Sequence, residues 1–96
     1  MKVHYCLPTY NQPQMLRRAV EAALASDIEL AAVTVVDLSR EHYAAGLLEG
    51  LEGVNVITMP VNIGLGATWN LFFAMYDDYI VIGNDDVIVE PGTLRI

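Results

Sequence analysis

Short apolar runs alternate with segments of helical period along this chain, and that alternation constrains its fold more than any other feature. The runs cover residues 3–7, 32–36, 54–59 and 79–82, and each is stopped by Pro, Asp or Gly. The second run is nearly unbroken, which is typical of a strand buried on both faces. Strands joined by helical crossovers pair in parallel. We therefore predict an α/β fold in which a parallel sheet carries helices on both faces.

Three segments between the runs have helical period, although the second, residues 41–51, has it only weakly. In the first, Asn11 or Gln12 can cap a helix and Pro13 suits its first turn. The apolar face of this helix comprises Met15, Leu16, Ala19, Val20, Ala23 and Leu24. The stripe on the third helix comprises Leu65, Trp69, Leu71, Phe72, Phe73, Met75 and Tyr76. Because this stripe is broad, we expect the third helix to be well buried.

Size and charge limit what the chain can do. Its 96 residues allow one domain, and an apolar content of 54% is above the usual range, so we expect exposed apolar surface with marginal stability or self-association. A formal net charge of −7 argues against nucleic acid as a partner, whereas an anionic nucleotide could bind through a bridging divalent cation. Cys6 is the only cysteine, which excludes an internal disulfide. No signal peptide is recognisable, and we expect a cytoplasmic protein.

The sharpest chemical signal is Asn84-Asp85-Asp86, which follows the fourth apolar run. In parallel α/β sheets, ligands bind beyond the carboxyl ends of the strands. Mg²⁺ prefers oxygen ligands and often uses one or two carboxylates together with substrate phosphates, so this Asp pair is a candidate metal site. The alternative is a solvated turn, because Asn and Asp are common turn residues. Asp77-Asp78, at the end of a helix, we interpret as a solvated turn only.

Polar residues also follow the other three runs. Segment 8–11 offers an aromatic ring, a hydroxyl and an amide to a ligand, or else forms only a turn and a helix cap. Asp37 either accepts hydrogen bonds from a base or ribose, or caps the segment that follows it. The loop 62–66 precedes a helix whose backbone N–H groups could face a phosphate. No Ser/His/Asp or Cys/His arrangement suited to nucleophilic catalysis is recognisable, and His4 and His42 are assigned no role.

Four motifs follow one another along the whole chain. They are Leu7-Pro8-Thr9-Tyr10-Asn11, Val35-Val36-Asp37-Leu38-Ser39, Asn62-Ile63-Gly64-Leu65-Gly66-Ala67, and the run from Tyr79 to Asp86 that continues through Val87 and Glu90-Pro91-Gly92. In this order and spacing they resemble the family 2 glycosyltransferases of the GT-A fold. The resemblance implies a Rossmann-like nucleotide-binding subdomain over residues 1–96, with the acceptor-binding part absent. It also implies that the first strand lies between the second and the fourth.

The resemblance implies a role for each motif. The base and ribose of a nucleotide diphosphate sugar would be held by Pro8, Thr9, Tyr10, Asn11 and Asp37. The other nucleotide-binding residues would be Asn62, Gly64, Asn70, Asn84 and Asp85. Asp86 would bind a divalent metal, Mg²⁺ or Mn²⁺, on the diphosphate, with Asp85 assisting at the metal or the ribose.

Three positions depart from the family pattern. Asn84 stands where the family most often has its first Asp, a tolerable change if Asp86 is the main metal ligand. Leu38 replaces the second Asp of the Asp-Asp-Gly-Ser pattern. Trp69 stands where many members carry an Arg before Asn70, which removes one cationic contact.

We therefore predict a glycosyltransferase that moves a sugar from a metal-bound nucleotide diphosphate sugar to an acceptor hydroxyl. An inverting transfer needs a carboxylate base, and no residue here is assigned as catalytic, so we expect the chain alone to supply donor binding without transfer. Residues 94–96 end where a helix could begin, and the chain looks truncated. The alternatives are a short non-catalytic nucleotide-binding module and, less favoured, a sugar nucleotidyltransferase. The latter class usually has a Gly-rich basic loop after the first strand, which segment 8–11 does not resemble.

Overall fold

A computed structural model of the protein describes residues 3–26, 30–76 and 79–84. Its elements in chain order are β1 (Val3–Thr9), α1 (Pro13–Leu24), β2 (Leu30–Asp37), α2 (Ala44–Leu47), β3 (Val54–Thr58), α3 (Leu65–Met75) and β4 (Tyr79–Ile82). The described strands form one sheet in the order β3-β2-β1-β4, and each pairing is parallel. The predicted parallel sheet is confirmed, and so is the position of the first strand between the second and the fourth.

Strand β1 runs past Pro8, where the sequence suggested that it would stop. The Cys6 carbonyl accepts a hydrogen bond from the Gly83 amide on the β4 side. Pro8 faces that same side two residues later, but the pairing between β1 and β4 has already ended at Ile82. The missing N–H of Pro8 therefore leaves no ladder bond unmade, and β1 continues to pair with β2 as far as Thr9.

Helices cover both faces of the sheet, as the alternation predicted. On one face, α1 and α2 pack over a core of Tyr5, Leu7, Leu16, Val20, Ala23, Val33, Val35, Ala44 and Leu48. On the other, α3 packs over a smaller core of Cys6, Val36, Leu38 and Phe72. Successive residues of a strand point to opposite faces, which is why Tyr5 and Cys6 belong to different cores. We call these two sides the α1/α2 face and the α3 face.

Helix α1 agrees with its predicted start and buried face. It begins at Pro13, and its buried residues are Leu16, Ala19, Val20 and Ala23. Met15 is partly buried, and Leu24 is exposed at the last turn. Gln12 occupies the N-cap position without a capping bond from its side chain. The face was correct because helical period alone decides which residues lie together.

Helix α2 is shorter than predicted. It spans Ala44–Leu47 and not residues 41–51. His42 has a φ of 51°, a left-handed conformation that an α-helix excludes. Beyond the helix, Gly50 has a φ of 88°, which again ends helical backbone. The spacing of apolar residues gives no information about these two backbone conformations. The prediction of a longer helix was therefore wrong.

Helix α3 is less buried than predicted. Its buried residues are Thr68 and Phe72. Four large apolar side chains of this helix, Leu65, Trp69, Phe73 and Met75, have exposed fractions between 40% and 58%. The stripe is wider than the surface that β1 and β4 offer beneath it, so only its centre is covered. The expectation of a well-buried helix was wrong, whereas the expectation of exposed apolar surface is met on this face.

Some of the sequence-based expectations concern residues that are not described. The short extended segment at 87–90 and the element after Pro91-Gly92 lie outside the described residues, as do Asp77 and Asp78. In the described part of the chain, none of the helices is long and apolar enough to cross a membrane.

Candidate functional site

A cavity of about 250 Å³ opens at the carboxyl ends of the strands, where the sheet rule predicts a ligand. It is lined by Pro8, Tyr10, Leu38, Asn62, Gly64, Leu65 and Asn84. The lining comes from the segments that follow β1, β2, β3 and β4, and five of its residues were singled out from the sequence as ligand candidates. We call it the strand-end cavity.

Asp37 does not line this cavity. The residue is fully buried. Its Oδ1 accepts hydrogen bonds from the Ser39 amide and hydroxyl, and its Oδ2 accepts one from the Ala44 amide at 2.8 Å. The carboxylate therefore ties the loop after β2 to the start of α2, which is the capping alternative. Direct contact between Asp37 and a base or ribose stays a prediction.

The loop after β1 is anchored by a residue that lies far away in the sequence. The Tyr43 hydroxyl is 2.8 Å from Thr9 Oγ1, and it accepts a hydrogen bond from the Gln12 amide at 3.1 Å. Between these two anchors lie Tyr10, which is 50% exposed, and Asn11, whose φ is 59°. Asn tolerates this left-handed conformation better than most residues. The loop thus presents the Tyr10 ring at the mouth of the strand-end cavity.

The loop before α3 is closed by its own side chains. Asn62 Oδ1 accepts a hydrogen bond from the Gly64 amide at 2.8 Å, and the Thr68 hydroxyl donates to the Gly64 carbonyl at 2.8 Å. Gly64 has a φ of 85°, which only glycine adopts without strain. The Gly64 N–H is thus bonded to Asn62, and a contact between the backbone of this loop and a phosphate stays a prediction.

Gly83 fixes the approach to Asn84. A Cβ at Gly83 would overlap the hydroxyl and ring of Tyr5, which is buried in the sheet. The residue before Asn84 therefore has to lack a side chain if β4 is to pair with β1 as it does. Asn84 follows directly in the chain and lines the strand-end cavity.

Besides Asp37, three predicted nucleotide-binding residues do not line the strand-end cavity. Thr9 is buried at the end of β1, and Asn70 is exposed on α3. Asn11 lines a different depression of about 400 Å³, together with Pro13, Glu41 and Tyr43, which we call the second cavity. The roles of Thr9, Asn11 and Asn70 stay predictions.

The described lining of the strand-end cavity carries no charged side chain. Pro8, Leu38 and Leu65 supply apolar surface, Tyr10 supplies an aromatic ring, and amides come from Asn62 and Asn84. Such a mixture suits a flat, polar-edged ring such as a nucleobase. The described lining therefore offers no cation to a diphosphate. This agrees with the presence of Trp69 where many family members carry an Arg.

Burial shifts the pKa of two side chains of β1. Burial raises the pKa of the Cys6 thiol to about 11, and burial also raises the pKa of the Tyr5 phenol. The Cys6 thiol is therefore protonated at neutral pH and unreactive, as expected for a core cysteine. Neither group faces the cavity.

A metal centre is not assembled within the described residues. In residues 3–26, 30–76 and 79–84, no group of three or more His, Cys, Asp or Glu side chains is placed to hold a metal. Asp85 and Asp86 lie outside these ranges, and they follow directly on Asn84 at the cavity edge. Their metal-binding role stays a prediction.

Several residues of this region escaped the sequence-based interpretation. Leu38 was noted only as a departure from a pattern, yet it lines the cavity, and so does Leu65. Tyr43 lies in the segment 41–51 that was predicted as a weak helix, but it is the N-cap of the shorter α2, and its hydroxyl contacts Thr9 at the end of β1. No signal in the sequence links Tyr43 to Thr9, because they are 34 positions apart.

Comparisons with known proteins agree with this architecture. The sequence profile of glycosyl transferase family 2 matches residues 5–96. The crystal structure of S. aureus TarS 1-349 is similar with a TM-score of 0.82 at 19% identity, over 99% of this chain and 30% of that chain. Another crystal structure of S. aureus TarS gives a TM-score of 0.72 at 19% identity, over 90% of this chain and 17% of that one. The chain thus spans less than a third of the proteins whose fold it shares. Among curated protein sequences, none matches significantly.

Proposed function

The chain belongs to glycosyl transferase family 2, and we propose that it supplies the donor-binding half of an enzyme that uses a nucleotide diphosphate sugar. One observation carries the proposal. Five residues singled out from the sequence, which come from the ends of β1 and β4 and from the loop between β3 and α3, line a single cavity of about 250 Å³. Strand ends meet at one edge of any parallel sheet, but the lining here also combines an aromatic ring, apolar side chains and two side-chain amides, which is typical of a ligand site.

In this proposal the nucleoside lies in the strand-end cavity. The half-exposed Tyr10 ring stacks on the base, and the side-chain amides of Asn62 and Asn84 bond to polar atoms of the nucleotide. Asp37 supports the site by holding the loop that carries Leu38, and it needs no contact with the ligand for this task. Thr9, Asn11 and Asn70 complete the predicted nucleotide-binding set.

The diphosphate requires positive charge, which the described lining does not supply. We propose that Asp86, assisted by Asp85, binds Mg²⁺ or Mn²⁺ on the diphosphate. Support comes from their position in the sequence, directly after Asn84, and from the preference of these ions for carboxylate oxygen. When bound, such an ion neutralises charge on the diphosphate leaving group.

Transfer itself requires groups that we assign to no residue of this chain. A hydroxyl acceptor attacks the anomeric carbon while a base removes its proton, and we expect the acceptor site and that base on further sequence. Exposed apolar residues of the α3 face, including Trp69 and Phe73, support the related proposal that the isolated chain self-associates.

Calorimetry tests the proposed function. The chain is titrated with UDP, GDP, CDP and ADP, with and without Mn²⁺. We expect weak binding of at least one diphosphate, with affinity raised about tenfold or more by the metal, which corresponds to about 1.4 kcal/mol. Asp86→Ala should abolish the metal effect, and Asp78→Ala, which removes the same charge elsewhere, should retain it. Equal affinities with and without metal would remove Asp86 from the metal role, and no binding of any diphosphate would end the proposal.

A further inference from the structure

Tyr43 joins the loop after β1 to the loop after β2 through a single side-chain atom. Its hydroxyl contacts Thr9 Oγ1 at 2.8 Å and accepts the Gln12 N–H at 3.1 Å. Thr9 and Gln12 flank the Tyr10–Asn11 turn on both sides. The phenol oxygen therefore spans the base of this turn, although it does not line the strand-end cavity itself.

Tyr43 is itself held in place. Its neighbour Ala44 donates its amide to the buried Asp37 carboxylate at 2.8 Å, and the ring packs against the core of the α1/α2 face. The Tyr43 carbonyl also accepts the Leu47 amide at the start of α2. A hydroxyl on a ring fixed in this way can act as a stationary anchor, because little rotamer freedom is left to be lost when the bonds form.

The turn that the hydroxyl spans needs an anchor. Asn11 has a φ of 59°, a conformation that is sparsely populated for residues other than glycine. Tyr10 is 50% exposed, so burial covers only half of its ring. Sparsely populated backbone conformations persist where the surroundings hold them, and the pair of hydrogen bonds to Tyr43 does so here.

We propose that Tyr43 is a positioning residue, whose hydroxyl holds the Tyr10–Asn11 turn in the conformation that presents Tyr10 to the strand-end cavity. This inference rests on the proposed nucleotide-binding function of that cavity. It means that the affinity for a nucleoside diphosphate depends on an oxygen atom that the ligand does not touch. A pre-formed turn spares the ligand the cost of ordering it, which is the physical basis of the effect.

Tyr43→Phe removes the hydroxyl and keeps the ring. In this variant the Gln12 amide loses its acceptor. We expect its hydrogen–deuterium exchange to be about five to ten times faster than in the parent chain, after correction for any change in global stability. We expect the affinity for the nucleoside diphosphate that binds the parent chain most tightly to fall about three- to tenfold, measured by calorimetry with Mn²⁺.

Tyr76→Phe is the matched control. Tyr76 is also partly buried, and its hydroxyl is 2.7 Å from Thr34 Oγ1, but it packs on the α3 face, whereas Tyr43 packs on the α1/α2 face. This variant loses a tyrosine hydrogen bond of similar length. It should lower stability by a comparable amount while leaving both the Gln12 exchange and the affinity unchanged.

The outcomes separate this inference from the function on which it rests. Faster Gln12 exchange with weaker binding in Tyr43→Phe alone supports the positioning role. Equal affinity in the parent and Tyr43→Phe chains, or unchanged Gln12 exchange, overturns it while the nucleotide site stands. An equal loss of affinity in both variants also overturns it, because it reduces the role of Tyr43 to general stability. If the parent chain binds no nucleoside diphosphate, the proposed function fails first, and the positioning role fails with it.

Discussion

The helices on the two faces of the sheet differ in how much of their apolar surface is buried. On the α1/α2 face, α1 turns apolar residues inward and charged residues outward, and Arg17 and Glu21 pair on its exposed side at 3.7 Å. On the α3 face, α3 contains no charged residue at all. Its Phe72 is fully buried, but Trp69 and Phe73 remain exposed at 40% and 58%.

This difference shows what each helix requires. The amphipathic α1 needs one partner, the sheet, and it has one. The uncharged α3 has apolar surface on two sides, and the sheet covers only one of them. Exposed apolar surface of this kind is where we expect further protein to pack. Leu65 of α3 is itself exposed and also lines the strand-end cavity, so α3 takes part in both the proposed ligand site and the proposed packing surface.

The largest contrast is expected within α3 itself. Phe72→Ala should lower the free energy of unfolding by about 3–5 kcal/mol, because it empties a fully buried site. Phe73→Ala, one residue further on, should change it by less than about 0.5 kcal/mol. Urea denaturation followed by circular dichroism measures both. Similar losses from the two variants would mean that Phe73 is covered and that the contrast between the faces is mistaken.

Alkaline pH should weaken both faces, because each core holds one buried acid. Burial raises the pKa of Cys6 from 9.0 to about 11 on the α3 face, and burial raises the pKa of Tyr5 on the α1/α2 face. The unfolded chain loses these protons first, so stability is intact below pH 9 and falls as pH rises through the folded-state values. Each group contributes at most about 1.4 kcal/mol per pH unit.

Single substitutions show which buried group causes the loss of stability at alkaline pH. Cys6→Ala should flatten the decline of unfolding free energy between pH 9 and 11, and Tyr5→Phe should flatten it at higher pH. Stability is measured by urea denaturation at each pH. A decline that keeps its full slope in Cys6→Ala would show that the thiol is not the group responsible.

Two glycines should respond in opposite directions. Gly83→Ala should cost about 1–3 kcal/mol, because its Cβ would overlap the Tyr5 ring below β4. Gly46→Ala, within α2 and with no neighbour within 4 Å, should gain up to about 1 kcal/mol from helix propensity. Thermal denaturation ranks the two. A neutral Gly83→Ala would show that β4 can move away from β1 without cost.

The smallest effect concerns association. Phe73→Glu places a charge in the exposed apolar surface of α3 and adds to a net charge of −7. It should weaken self-association of the chain about tenfold, as measured by sedimentation equilibrium. Arg18→Glu, on the exposed side of α1, is the control and should weaken it less, although it lowers the net charge further. Equal effects of the two variants would point to net charge and not to the α3 face.

The sequence predicted most of the fold because the fold depends on local periodicity. The apolar runs located β1 to β4, and the spacing of Leu16, Val20 and Ala23 located the inner side of α1. The apolar stripe of α3 predicted which of its residues share a side. It did not predict how much of that side the sheet would bury. That quantity depends on the short β4, which no local pattern in α3 records.

The candidate site was predictable in part for the same reason. The carboxyl ends of parallel strands meet at one edge, so Tyr10, Asn62 and Asn84 could be grouped from the sequence alone. The capping role of Asp37 was left as an alternative, because choosing it requires the path of the loop up to Ala44. The bond between Tyr43 and Thr9 joins residues 34 positions apart and has no sequence signature.

The central claim is that the strand-end cavity holds a nucleotide, and nuclear magnetic resonance tests it most directly. The isotope-labelled chain is titrated with the tightest-binding nucleoside diphosphate in the presence of Mg²⁺. The largest amide shifts should occur together at Tyr10, Asn62, Gly64 and Asn84, with α1 unaffected. Shifts centred on the second cavity, or spread evenly over the sheet, would contradict the assignment of the site.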